Sequence, residues 1–126
     1  MISDDDVKDR LRFVTHKGHA IFLIDVSHCQ GKELLVLLDQ IRAEVARHEP
    51  GTVLTLADFT GAKIDKEVAT KIKEVLTLDR PYVKKSAWVG TDSLPHVFYE
   101  NFKSFSRRDF PTFETREEAM DWLVAE

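Results

Sequence analysis

The sequence predicts an α/β domain: a mixed five-stranded sheet, its first strand antiparallel and the others mainly parallel, packed with four helices. Three observations lead there. Apolar stretches of strand length alternate with amphipathic stretches of helix length along the chain. The connection between the first two strands is too short to hold a helix, whereas each later connection contains one. The second strand, Ala20-Ile21-Phe22-Leu23-Ile24, is almost uninterrupted in its apolar character, as suits a strand covered on both faces.

Arg10 to Thr15 reads as the first strand, with Leu11 and Phe13 on one face and Arg12 on the other. His16-Lys17-Gly18-His19 reads as a turn in which Gly18 takes positive φ, and Ala20 to Val26 follows as the second strand. Gly31 to His48 is the first predicted helix, with Leu34, Leu37, Leu38, Ile41 and Val45 on one stripe, and Pro50 ends it. Val53 to Phe59 is the third strand. Asp65 is placed to cap the second helix, whose inner stripe is Val68, Ile72, Val75 and Leu76 and which Pro81 stops. Ala87-Trp88-Val89 is the centre of the fourth strand. Asp92 or Ser93 is expected to cap a third helix with Leu94, Phe98, Phe102 and Phe105 inward. Phe110 to Glu114 is a short fifth strand with Pro111 suited to an edge. Thr115 and Glu118 have the spacing of a capping box, opening a last helix with Ala119, Trp122 and Leu123 inward.

Size and charge exclude several classes. A chain of 126 residues and 14.5 kDa is one domain, read here as residues 10–126 behind an acidic segment 1–9. Its 43% hydrophobic and 32% charged residues are a globular balance rather than a disordered one. A net charge of −4 argues against a nucleic-acid partner. The single Cys29 rules out an intramolecular disulfide. The longest apolar run is interrupted by Asp25, far short of the about 20 residues that cross a bilayer, and the acidic start is unlike a secretory signal. The expected location is therefore the cytoplasm, with no transmembrane segment.

Polar residues gather after three strands: Ser27-His28-Cys29-Gln30, Asp58-Phe59-Thr60-Gly61 and Gly90-Thr91-Asp92-Ser93. In a parallel sheet the loops beyond the carboxyl ends of the strands are where ligands meet the protein. The same residues also serve as the caps and turns any such domain requires. His28 and Cys29 are adjacent, so on an extended chain their side chains diverge and do not readily form a nucleophile–base pair. His16 and His19 lie at the opposite end of the sheet and read as surface, and the five histidines are too scattered for a metal site. No metal or cofactor is expected. Lys84-Lys85 and Arg107-Arg108 are basic pairs that suit a strand edge and a helix C-terminus, or an anion patch. Trp88, Phe98, Phe102 and Phe105 are the residues expected to line any apolar pocket.

The run Leu56-Ala57-Asp58-Phe59-Thr60-Gly61-Ala62-Lys63-Ile64-Asp65 resembles the strand-loop-helix of STAS domains. The fuller likeness is to the stand-alone bacterial branch similar to stage II sporulation protein AA, also described as STAS/SEC14-like. Ile21 to Asp25, Pro81-Tyr82-Val83-Lys84, Val89-Gly90 and the ending Phe113 to Ala119 carry it, over roughly residues 10–126. The resemblance implies a non-catalytic domain with roles in partner binding, nucleotide response or hydrophobic-ligand binding. Phosphorylated members of the family carry a Ser at the start of the helix after this loop. Here Asp65 is followed by Lys66-Glu67-Val68, so the acceptor is absent and Thr60 is the nearest hydroxyl. The leading expectation is a binding or regulatory module for a protein partner or small ligand, using Ser27, Asp58, Thr60, Gly61, Asp65, Thr91 and Asp92. The alternatives are a carrier or sensor of an apolar, lipid-like molecule beside the aromatic helix, and an enzyme using Cys29 or His28. An open sheet edge and the number of aromatics suggest a homodimer.

Overall fold

The computed structural model describes residues 3–108 and 110–125, with the side chains of Asp4 and Ser93 outside that description. The elements are α1 (Asp4–Arg10), β1 (Leu11–His16), β2 (His19–Asp25), α2 (Gly31–Val45), β3 (Val53–Asp58), α3 (Lys66–Asp79), β4 (Val83–Val89), a 3-10 turn (Thr91–Ser93), α4 (His96–Ser106), β5 (Thr112–Phe113) and α5 (Arg116–Val124). The sheet order is β1-β2-β3-β4-β5, with β1 antiparallel to β2 and the other neighbours parallel. The predicted fold class is therefore the observed one.

This order decides the layers. Each crossover steps to the next strand in the same direction, and crossovers of one hand then put their helices on one face. Accordingly α2, α3 and α4 cover the face bearing Phe22, Ile24, Val53, Ala57 and Trp88. The opposite face, bearing Ile21, Leu23, Leu54, Leu56, Ala87 and Val89, is covered by Ala119 and Leu123 of α5. Both faces of β2 and β3 are buried, which is why their sequences run apolar without alternation.

Local chemistry sets the boundaries. Asp65 accepts from the Val68 N–H at 2.8 Å and Thr115 from the Glu118 N–H at 3.1 Å, as expected of both caps. The Glu118 carboxylate bonds the Thr115 hydroxyl at 3.1 Å, closing the box through the side chain. The β1–β2 turn has positive φ at both Lys17 and Gly18, the geometry whose twist matches a two-residue hairpin.

Four expectations need correction. The acidic start includes a helix, α1, capped by Ser3 through the Asp6 N–H at 3.2 Å; its acidic first turn and its basic Lys8 and Arg10 oppose the helix dipole at each end. Helix α2 stops at Val45, before His48. The third predicted helix is not capped by Asp92: Thr91–Ser93 is a separate 3-10 turn, Pro95 is the N-cap of α4, and the Ser93 side chain lies outside the described residues. The fifth strand shrinks to Thr112–Phe113, leaving Phe110 as a fully buried core residue before it.

Trp88 is the hub of the α-helical face. Its ring lies 4.2 Å from Phe110, 4.5 Å from Phe59, 5.8 Å from Tyr99 and 6.1 Å from Phe102. Trp88→Ala would empty the space on which three elements converge, so chemical denaturation should show a loss of about 3–5 kcal/mol.

Candidate functional site

Strands β2, β3 and β4 end side by side, with Asp25 opposite Asp58 and Asp58 opposite Val89. The backbone pairing continues beyond the strands. Val26 N–H donates to Asp58 O at 3.1 Å, His28 N–H to Thr60 O at 2.8 Å, Lys63 N–H to Cys29 O at 3.0 Å and Phe59 N–H to Val89 O at 3.0 Å. Gln30 and Lys63 form a parallel bridge. The loops thus form one hydrogen-bonded platform.

Two aspartates fold these loops in the same way. Asp25 Oδ1 accepts from the Ser27 N–H at 3.0 Å and the Ser27 hydroxyl at 2.5 Å. Asp58 Oδ1 accepts from the Thr60 N–H at 2.9 Å and the Thr60 hydroxyl at 2.7 Å. Each carboxylate so mimics a backbone turn. Side by side they would repel, and arginines from outside the sheet answer them. Arg116 donates to Asp58 Oδ2 from Nε at 2.9 Å and Nη2 at 2.8 Å, and its Nη2 stands 3.4 Å from Asp25 Oδ2. Arg10 Nη1 donates to Asp25 O at 3.1 Å and Ser27 O at 3.0 Å. A cation in the first turn of α5 is unfavourable beside the positive end of that helix's dipole; the two carboxylates account for its position.

Two glycines are required here. Gly90, at φ 69°, leaves no space for a Cβ, which would run into the Thr60 backbone and hydroxyl. Gly61, at φ 68°, holds a left-handed backbone that favours glycine, and a Cβ there would also press on the exposed His28 ring.

The structure brings all seven expected binding residues to this end, but several are occupied with folding. Asp58 is buried and fully engaged, Thr60 is exposed with its hydroxyl on Asp58, Ser27 is half-buried against Asp25, and Asp65 is a cap. Thr91 is half-buried and Asp92 exposed. A phosphate on Thr60 would displace the hydroxyl from Asp58 and set two anions together, an unfavourable exchange. The site also uses Asp25, Arg10 and Arg116, which the sequence analysis does not assign to it. The repeated Asp-x-Ser and Asp-x-Thr at the ends of adjacent strands was the readable signal for Asp25; nothing local marked the arginines.

Cys29 is fully buried, and burial followed by the Glu33 carboxylate pushes its thiol up to about 12, so it stays protonated at neutral pH. Its Sγ lies 3.5 Å from Ser27 O. His16, at the far end, bonds Asp121 at 2.7 Å.

The aromatic residues behave differently from expectation. Trp88, Phe98 and Phe102 pack ring on ring, whereas Phe105 is 60% exposed with Lys73 over its ring at 5.7 Å. Phe105 is therefore not part of an inner stripe. A cavity does lie beside Trp88, but toward α2 and α3, among Ile41, Ile72, Val75, Thr55, Ser86 and Asp79. Its volume is about 50 Å³, against the about 150 Å³ that accommodates a benzene ring, so as it stands it is too small for a lipid-like guest.

Burial would raise the Asp58 pKa, but the Thr60 hydroxyl and N–H and the Arg116 guanidinium outweigh it and hold the carboxyl below its ordinary value of 3.8. A depressed pKa stabilises the fold above the unfolded-state value and ceases to do so as the pH falls through the folded-state value. Asp58→Asn should therefore cost about 2 kcal/mol at pH 7. In urea titrations the difference from wild type should shrink as the pH falls below about 4.

Comparison with protein-family models, with curated proteins and with solved structures finds no match.

Proposed function

We propose that the chain is a non-catalytic, STAS-like binding module whose recognition face is the loop platform at the carboxyl end of β2, β3 and β4. The observation that carries this reading is the backbone pairing between the Ser27–Gln30 and Thr60–Lys63 loops. Loops tied in this way lose little conformational freedom on binding, so contact energy appears as affinity rather than being consumed in ordering. Thr60, Gly61, Lys63, Asp65 and Asp92 present the exposed polar surface of the platform. The buried, protonated Cys29 favours binding over nucleophilic chemistry. No helix among the described residues is long and apolar enough to cross a membrane, and the proposed setting is the cytoplasm, with a protein or small soluble partner.

The platform reading makes a specific demand. Lys63→Glu combined with Asp92→Arg reverses two exposed charges without touching the aspartate turns. Quantitative capture from the host's lysate should retain a partner on the wild-type chain and lose it about tenfold on the variant, at unchanged melting temperature. Equal capture by both would remove this face from consideration.

A second copy of the chain is also proposed as a partner. Strand β1 has β2 on one side only, and its Phe13 is 41% exposed. Sedimentation at micromolar concentration should show a species of twice the 14.5 kDa chain mass; a monomer alone would exclude it.

A further inference from the structure

We propose that a concave pocket at the opposite end of the sheet binds a phosphate group, free or carried by a small molecule. The two basic pairs, far apart in sequence, converge there. Arg80 after α3, Lys84 at the start of β4 and Arg107 and Arg108 after α4 surround a space of about 220 Å³. Pockets for drug-sized ligands begin at about 300 Å³, so this one suits a single charged group. No carboxylate lines it among the described residues.

The side chains are arranged rather than merely numerous. The β3–β4 register slips at this point, Val53 opposing Val83 and Leu54 opposing Lys85, so Lys84 is the extra residue of a bulge at the pocket. Lys85 turns to the α5 face, where its ammonium donates to Trp122 O at 2.8 Å and Ala125 O at 3.3 Å. Lys85 still lines the pocket, but its ammonium is engaged by those carbonyls; the other cations around the space are Arg80, Lys84, Arg107 and Arg108. Arg108 is held in place by bonds to Leu76 O at 3.3 Å and to the Ser86 hydroxyl, which fixes its planar fork. Such forks match phosphate oxygens. Arg80, Lys84 and Arg107 are exposed and have no carboxylate within ion-pair distance among the described residues.

Helix dipoles alone do not account for these cations. The C-termini of α3 and α4 each carry roughly half a negative charge. Asp79, the buried carboxylate behind the pocket, faces both Arg42, at 3.4 Å, and Arg108. Among the described residues, four cations against two helix ends, with Asp79 shared between Arg42 and Arg108, leave an excess of about two to three positive charges, in a chain whose net charge is −4. A phosphate, with a charge of about −2, answers this better than a carboxylate or halide. Arg107 adds a sign of its own: it caps α4 at φ 56°, a conformation that glycine takes more easily.

The test is calorimetric titration of the full chain at low ionic strength with inorganic phosphate, and separately with phosphatidylcholine vesicles containing phosphatidic acid. Saturable binding that weakens with salt is expected. Phosphate alone sufficing identifies a soluble ligand; response to the vesicles only identifies a lipid headgroup, and either supports the site. Lys84→Gln with Arg107→Gly should weaken binding about tenfold or more. Arg107→Gly alone should leave the melting temperature unchanged or raise it, because glycine relieves the left-handed backbone. Lys84→Gln alone, on an exposed side chain, carries the same test if the double variant does not fold. Failure of both probes to bind, unchanged affinity in these variants, or equal weakening by Lys66→Gln at the other end of the sheet would overturn the proposal.

Discussion

Two carboxylates at the ends of adjacent parallel strands must be held together, and the candidate site depends on how this is done. Asp25 and Asp58 each turn a loop by accepting two bonds from the hydroxyl residue two positions on. Their mutual repulsion is relieved by Arg116, which reaches both, while Arg10 ties down the Asp25 and Ser27 carbonyls. The first and last helices are thereby fastened to the same end of the sheet. Helices α1 and α5, remote from one another in sequence, contribute the cations that organise the platform.

The two ends of the sheet have opposite electrostatic character. At the carboxyl end, each cation that approaches the aspartates is matched by them, and the exposed loops remain mixed in charge. At the other end Arg80, Lys84, Arg107 and Arg108 gather around the last turns of α3 and α4, where the buried Asp79 faces Arg42 and Arg108. Between the ends lies a dense aromatic core around Trp88, whose small neighbouring cavity leaves little room for a guest.

The fold was legible because its signals are local and periodic. The apolar run at Ile21–Ile24 marked a central strand, and Asp65 and Thr115 marked helix starts by chemistry that acts within three residues. Helix α1 is hard to read because Asp4-Asp5-Asp6 has the look of a solvated charge run, although Ser3 ahead of it is a cap and acidic residues favour a first turn. Phe105 shares the spacing of Phe98 and Phe102, but the last turn of α4 has passed the edge of the core, so periodicity alone misplaced it. The site was half legible. Turn-forming aspartates follow from their own neighbours, whereas Arg116 meets Asp58 across 58 residues of sequence, and no local pattern encodes that meeting. The convergence of the two basic pairs is hidden for the same reason.

Amide hydrogen exchange tests most directly whether the Arg116 bridge holds the platform. In the wild-type chain the His28 and Lys63 N–H groups, which close the two loops on one another, should exchange slowly. In Arg116→Ala both should exchange markedly faster, while the Leu54 and Leu56 amides in the centre of the sheet keep their protection. Unchanged protection at His28 and Lys63 would show that the loops hold without the bridge and would contradict its central role.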